Sequence, residues 1–390
     1  MDRTMARDAY LPIDLDSALL VGRVWRDAPI NGPAVVTIRN REVVDLTQHV
    51  ATVADLLERS DRHRIVRHAP GEVIGTLDAL LDNSLAGGGR APYLLAPCDL
   101  QPVKASGVTF AVSLLERVIE EQAEGDPSRA EAIRGAMVEL IGRDLSTVRP
   151  GSAEAQALKA EFQRRGHWSP YLEVGIGPDA EVFSKAPPMA SIGFGSPVGL
   201  HPDSSWNNPE PEIVLAVDSR GEAVGAALGN DVNLRDIEGR SALLLTKAKD
   251  NNGSCAIGPF IRLFDERFDI DAVRTADVSL RIEGRDGFEL EAISHMSEIS
   301  RDPLAIVRQT IGAHHQYPDG MMLFLGTMFS PTEDRDTAGG GFTHHLGDRV
   351  IISSPRLGAL VNEVSLSTEI APWTYGIRSL FAHLAERRGA

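Results

Sequence analysis

Cysteine is nearly absent. Cys98 and Cys255 are the only two in 390 residues, too few for a disulfide framework and without the spacing of a metal site. Long apolar runs are missing too, and none approaches the ~18 residues that a membrane helix needs. Basic residues are in deficit: 39 Lys and Arg against 55 Asp and Glu give a net charge of −16. That balance argues against a nucleic-acid partner, whose phosphates call for clustered cations. The opening MDRTMARDAY has no basic segment leading into an apolar core, so no secretory signal and a cytoplasmic location are expected. Internal repeats and low-complexity tracts are also lacking. What is present is ordinary globular composition, 43% hydrophobic and 24% charged, in a length suited to two domains at roughly 150 residues each.

Short β-rich runs come first: ALLVGRVW, PAVVTIR and EVVDL between residues 18 and 46, then a helical VATVADLLER. The Gly-rich LAGGGRAP at 85–92 reads as a linker, which predicts a smaller, mainly β N-terminal domain over 1–92 and a catalytic domain over 93–390. Residues 108–122, 129–145 and 153–166 carry strong helix formers with apolar residues at three- and four-residue steps. From Leu172 the text turns to short strands broken by Gly and Pro, among them EIVLAV, AVGAALG, VSLRIE, FELEAI, MMLFLGT, RVIISS and LVNEV, before a closing helix in PWTYGIRSLFAHLAERRGA. Strands at short spacing without regular strand–helix alternation predict an α+β fold built on a highly twisted mixed sheet or roll.

The most informative segment is residues 207–236. Glu210 and Glu212 are two apart, so on an extended strand they share a face, while Pro211 between them suggests an edge or a bulge. EIVLAV meets the turn signal Asp218-Ser219-Arg220-Gly221, and AVGAALG returns. That turn sets Asp231 opposite position 208, and a slip of a residue or two puts it beside Glu210. Three carboxylates on one patch repel unless a cation sits among them, and all-oxygen ligands favour Mg²⁺, Mn²⁺ or Ca²⁺. A solvated acidic hairpin is the bland alternative.

Glu210-x-Glu212, then Asn230-Asp231-Val232-x-x-Arg235-Asp236, then Lys249 nine residues before Gly258-Pro259, resembles the fumarylacetoacetate hydrolase superfamily in order and spacing. YPDGMMLFLGT, with Thr327 at the substrate-contacting threonine, and LGDRVIISSPRLGALVNEV extend the resemblance over roughly residues 95 to 370. It implies a twisted mixed-sheet roll, a divalent metal (usually Mg²⁺, with Mn²⁺ or Ca²⁺ as substitutes) on Glu210, Glu212 and Asp231, an assembly based on homodimers or dimers of dimers, and small anionic 2-keto acid substrates.

Hydrolases of that family activate water with a His–Glu pair in Asn-Tyr-x-x-His-x-x-Glu. Here the stretch 109–116 carries Phe110, Ser113 and Glu116 instead, and serine cannot take a proton near neutral pH as imidazole can. Loss of the histidine with Lys249 retained is similar to the 2-keto-3-deoxy-pentonate dehydratase branch. The resemblance then implies dehydration of a 2-keto-3-deoxy sugar acid to 2-oxoglutarate semialdehyde; the alternative is cleavage of a C–C bond in a 2,4-diketo acid. Lys249 is the expected base or enolate-stabilising cation, because burial pulls a lysine down and carboxylates push it up. Glu116 is the expected acid for the leaving hydroxyl, oriented by Ser113, and Glu238 is expected at the C4 or C5 hydroxyl. Against these stands a solvated helix face, with Arg117 paired to Glu121. Lys185 in FSKAPP resembles a family Lys-Pro element and is a further substrate contact. GFGSPVG at 193–199 misses the dinucleotide spacing, and the pairs His314-His315 and His344-His345 do not suit joint metal ligation. Gly339-Gly340-Gly341 is expected in a loop near the substrate.

Overall fold

The structure is a computed structural model that describes residues 7–130, 133, 148–165, 168–329, 333–337 and 341–389. Most of the helical stretch expected at 129–145, and Gly339 and Gly340, lie outside the described residues. In chain order the described strands are β1 (Leu20–Arg26), β2 (Gly32–Arg39), β3 (Glu42–Asp45), β4 (Glu72–Thr76), β5 (Tyr93–Leu95), β6 (Val103–Gly107), β7 (Glu181–Ala186), β8 (Val198–Leu200) and β9 (Asn207–Asn208). They continue as β10 (Pro211–Val217), β11 (Ala223–Asp231), β12 (Asn233–Leu234), β13 (Cys255–Leu263), β14 (Asp277–Glu283), β15 (Glu289–His295), β16 (Met321–Phe324), β17 (Arg349–Ser354) and β18 (Gly358–Leu366).

Eleven strands form one sheet in the order β4-β3-β2-β1-β13-β11-β10-β16-β6-β7, with β5 also on β1. Five more form β15-β14-β17-β18-β8, and β9 pairs with β12. The pairs β16–β6 and β18–β8 are parallel and the other pairs antiparallel, so the sheet is mixed as expected. Local sequence explains the hairpins. β2 and β3 are β-branched runs joined by Asn40 and Arg41, whose φ of 51° and 62° make the two-residue turn that matches strand twist. The interior strands are apolar on both faces. In β10, Val214 and Ala216 pack with Val53, Leu56 and Ile65 of the helices Val53–Glu58 and Arg62–His68. Ile213 and Leu215 face the layer that includes Leu280, Ile352 and Leu360 of the second sheet.

One expectation changes. The Gly-rich stretch near residue 90 lies between the helix Leu77–Leu85 and β5. β1 pairs with β13 through Leu20–Arg262 and Val21–Ile261, so the N-terminal strands extend the central sheet. Pro211 opens an interior strand. It is tolerated because β16 pairs only from Val214 onward, which leaves no ladder bond for the proline to break on that side.

Asp99 ties the helix Val53–Glu58 to the segment that leads into β6. Its carboxylate accepts N–H bonds from Val53 at 2.6 Å and Ala54 at 3.0 Å. Asp99→Ala leaves those donors unpaired in a buried place, and a loss of about 1–3 kcal/mol is expected in denaturant unfolding.

Candidate active site

β10 and β11 pair with Pro211 opposite Asn230 and Glu212 opposite Gly229. A register shift at Ala216/Val217 supplies the slip the sequence reading needs, and Asp231 N–H reaches the Glu210 carbonyl at 3.0 Å. Glu210, Glu212 and Asp231 are all buried, and each offers a carboxylate oxygen within 4.8 Å of the others. Among the described residues they form the one such cluster. The adjacent histidines are spent elsewhere: His344 lies on Asp348 at 3.1 Å, and His345 lies between Asp286 and Asp336.

Lys249 ends the short helix Leu245–Lys249 and stands over these ligands, with Nζ 2.5 Å from Glu210 and 3.2 Å from Asp231. Burial disfavours the charged amine, but Asp231, Glu210 and Glu238 outweigh it and hold Lys249 above the ordinary lysine range. Glu212 goes the other way. Burial, then the charges of Asp231 and Glu210, push its carboxyl well above the usual carboxylate range. Burial also raises Glu210, although Lys249 and Arg117 oppose it. Asp231 stays low despite its burial because Lys185 and Lys249 flank it. A divalent cation would relieve this repulsion, and three buried carboxylate oxygens form a donor set that suits a hard ion.

The backbone beside Glu212 is shaped for it. Gly326 donates its N–H to Glu212 at 2.6 Å with φ +91°, and a side chain at 326 would collide with the Thr109 hydroxyl. Thr327 follows directly, lines the cavity and accepts the Phe329 N–H at 3.0 Å.

The helix Ala111–Gln122 forms one wall. Ser113 and Glu116 line the cavity on its inner face, and the Ser113 hydroxyl donates to the Phe110 carbonyl at 3.0 Å. The expected Arg117–Glu121 surface pair is not formed. Arg117 turns inward to Glu120 at 2.5 Å, Glu210 at 2.5 Å and Glu238 at 2.9 Å. Glu120 and Glu116 both meet Arg235, at 2.7 and 3.6 Å, and that guanidinium stacks 4.1 Å over the Trp206 ring. Glu238 lines the cavity, with its carboxyl raised by burial. Lys185 lies elsewhere. It is fully buried behind the three carboxylates, 2.6 Å from Asp231, and donates to the Val232 and Lys249 carbonyls, so it positions Asp231 and does not line the cavity.

Arg117, Glu120, Glu181, Asn208 and Asn233 also line the cavity or its wall and were not singled out from sequence. For the helix a signal existed: Ser113, Glu116 and Glu120 recur at helical spacing on one face and are buried together.

No family model matches the chain. It is 32% identical over 196 residues to a Haloferax volcanii protein named "Probable 2-keto-3-deoxyxylonate dehydratase", a match covering 50% of this chain and 63% of that one. It is 33% identical over 159 residues to the 2-dehydro-3-deoxy-D-arabinonate dehydratase of Saccharolobus solfataricus, covering 40% and 51%. The chain therefore spans between half and two-thirds of the length of these curated relatives. A solved 2-keto-3-deoxy-D-arabinonate dehydratase complexed with magnesium and 2,5-dioxopentanoate superposes with a TM-score of 0.61 at 20% identity, over 89% of this chain and 99% of that one. The fumarylacetoacetate hydrolase of Exiguobacterium antarcticum superposes over the same shares at 0.52 and 16% identity. This is the fumarylacetoacetate hydrolase fold. On that fold the chain sets the three carboxylates and Lys249 together, with Ser113 on the helix that forms the cavity wall. Among the described residues no imidazole lines the cavity. No described helix is long and apolar enough to cross a membrane.

Proposed function

We propose that the protein is a Mg²⁺-dependent dehydratase of 2-keto-3-deoxy pentonates, yielding 2-oxoglutarate semialdehyde. The observation that carries this reading is a metal-ready carboxylate triad with Lys249 against it, in a cavity that among the described residues is lined without imidazole, which suits enolisation. The named activities of the similar proteins support it. A divalent cation on Glu210, Glu212 and Asp231 supplies Lewis-acid polarisation of the 2-keto group.

The chain's own groups do the rest. Lys249, with Nζ against Glu210 and Asp231, stands where the 2-oxygen becomes negative, which suits it to stabilise the enolate. Glu116 provides a carboxyl for proton transfer at C3 and C4, steadied by Arg235. Thr327 and Glu238 offer polar contacts for the substrate's carboxylate end and hydroxyls. Burial of the triad keeps water from competing for these charges. The protein acts as a homodimer or dimer of dimers in the cytoplasm, and light scattering of the purified chain checks the assembly.

The test is Mg²⁺-dependent turnover of both C4 epimers of 2-keto-3-deoxy-pentonate, with the aldehyde coupled to a semialdehyde dehydrogenase. Activity that EDTA removes and Mg²⁺ restores is expected. Silence with both epimers, together with cleavage of a 2,4-diketo acid, would overturn the reading. Lys249→Met should lower kcat by at least about 10²-fold, the usual cost of removing an oxyanion-stabilising group. Intact turnover in that variant would refute the role given to Lys249.

A further inference from the structure

A second cavity lies far from the carboxylates. It occupies about 720 Å³ where β2 and its turn, the helix Arg62–His68, the segment before β1 and the loop after β13 meet. Asp231 pairs with Cys255, the first residue of β13, whereas this cavity lies beyond Leu263, the last. The length of that strand, roughly 25 Å, separates the two places.

Its lining holds polar groups that the fold leaves incomplete. Thr37 of β2 is buried there, and among the described residues its hydroxyl has no hydrogen-bond partner. A buried hydroxyl in that state costs stability until a bound molecule meets it. Arg39 is two residues along the same strand and so on the same face. Its Nε, Nη1 and Nη2 each donate once, to the Val66, Ala69 and Ile65 carbonyls at 2.9, 2.6 and 2.8 Å. A guanidinium carries five N–H groups, so one is left on each Nη, a fork that matches an oxyanion. Burial lowers Arg39 from the ordinary arginine range, and no carboxylate offsets it. Arg267, on the loop after β13, brings a second, exposed guanidinium that forms no ion pair among the described residues. Asp16 and Glu266 line the same cavity, exposed and likewise without ion pairs.

We propose that this cavity is a second binding site, for a small polyhydroxylated anion such as a sugar acid or a sugar phosphate. The oxyanion sits on Arg39 and Arg267, one hydroxyl meets Thr37, and others donate to Asp16 and Glu266. The mixed lining sets these demands. Two guanidiniums require one anionic end, while two carboxylates accept hydroxyl donors and repel any further negative charge. A polyphosphate or nucleic acid therefore fits badly, and a neutral sugar leaves the guanidiniums unanswered. On a chain of net charge −16 no overall field draws an anion in, so affinity rests on these short contacts. The site needs no turnover, and its occupancy is independent of the dehydratase reading.

The experiment is titration of the full chain in EDTA with a pentonate, a pentose 5-phosphate and inorganic phosphate, read by calorimetry and by Tm. One sugar derivative or both should bind at millimolar concentration, more tightly than inorganic phosphate. Whichever of the two binds better names the oxyanion that the fork takes, and either preference supports the site. Thr37→Val keeps the shape of the side chain and removes its unpaired hydroxyl. That variant should be at least as stable as wild type and bind about two- to tenfold more weakly, the range for one neutral hydrogen bond. Arg267→Gln, at an exposed position, should weaken binding about tenfold or more, as a lost charge-assisted bond does. Glu212→Gln should leave binding unchanged. The site is overturned if neither sugar derivative binds, or if phosphate binds as tightly as both. It is equally overturned by binding that Glu212→Gln abolishes, or that both Thr37→Val and Arg267→Gln leave intact.

Discussion

Glu212→Gln is expected to abolish the Mg²⁺-dependent rise in Tm and reduce turnover to the level of the cation-free protein, while the metal-free variant is at least as stable as wild type. The two halves have one cause. Glu212 is buried against Asp231 and Glu210, with a backbone N–H as its one close donor, so its charge is costly until a cation arrives. The sign of the pH dependence follows. A carboxyl raised on folding binds its proton more tightly in the folded state, so its contribution is fully present below the unfolded value of about 4.3. That contribution is lost as pH rises from there through the higher folded value. Metal-free wild type should therefore show a component of declining stability with rising pH that Glu212→Gln lacks. Scanning calorimetry with EDTA and with Mg²⁺ across that range checks both. A variant that still gains Tm with Mg²⁺ would remove Glu212 from the ligand set.

Arg117→Ala is expected to destabilise the metal-free protein by about 3–5 kcal/mol, the usual cost of deleting one member of a buried ion network. One guanidinium touches Glu120, Glu210 and Glu238, and its side chain is 12% exposed, so solvent cannot take over the three carboxylates it leaves. Mg²⁺ should return part of the loss, because a cation on Glu210 replaces one of the missing contacts. Urea unfolding of wild type and variant, each with and without Mg²⁺, reads the difference. A loss below about 1 kcal/mol would place Arg117 with ordinary surface pairs.

The carboxylate triad was legible because strand geometry is simple arithmetic: two residues along a strand share a face, and a turn fixes the return register to within a slip. The turn signal at Asp218–Gly221 could not reveal the irregularity at Ala216/Val217 that completes the alignment. Arg117 was not legible for a different reason. Its i+4 glutamate made a complete local explanation, and nothing nearby says that Glu210, 93 residues later, lies within reach. β13 was hidden by Gly258-Pro259, which normally break a strand. In the fold the pairing with β11 shifts register between Ala226 and Leu228, and the irregularity accommodates the proline. Glu181 offered no signal at all, since its meaning depends on which residue lies across from it in the sheet.

The pairing of β1 with β13 bears on how the protein could be trimmed. β13 is buried along all nine residues and lies one strand from the strand that carries Asp231. A truncation starting near residue 93 would strip β1 away and leave an apolar edge of open amides and carbonyls, a template for self-association. The opening strands therefore serve as an insulating border for the central sheet, and a trimmed chain without them should precipitate before it can be assayed.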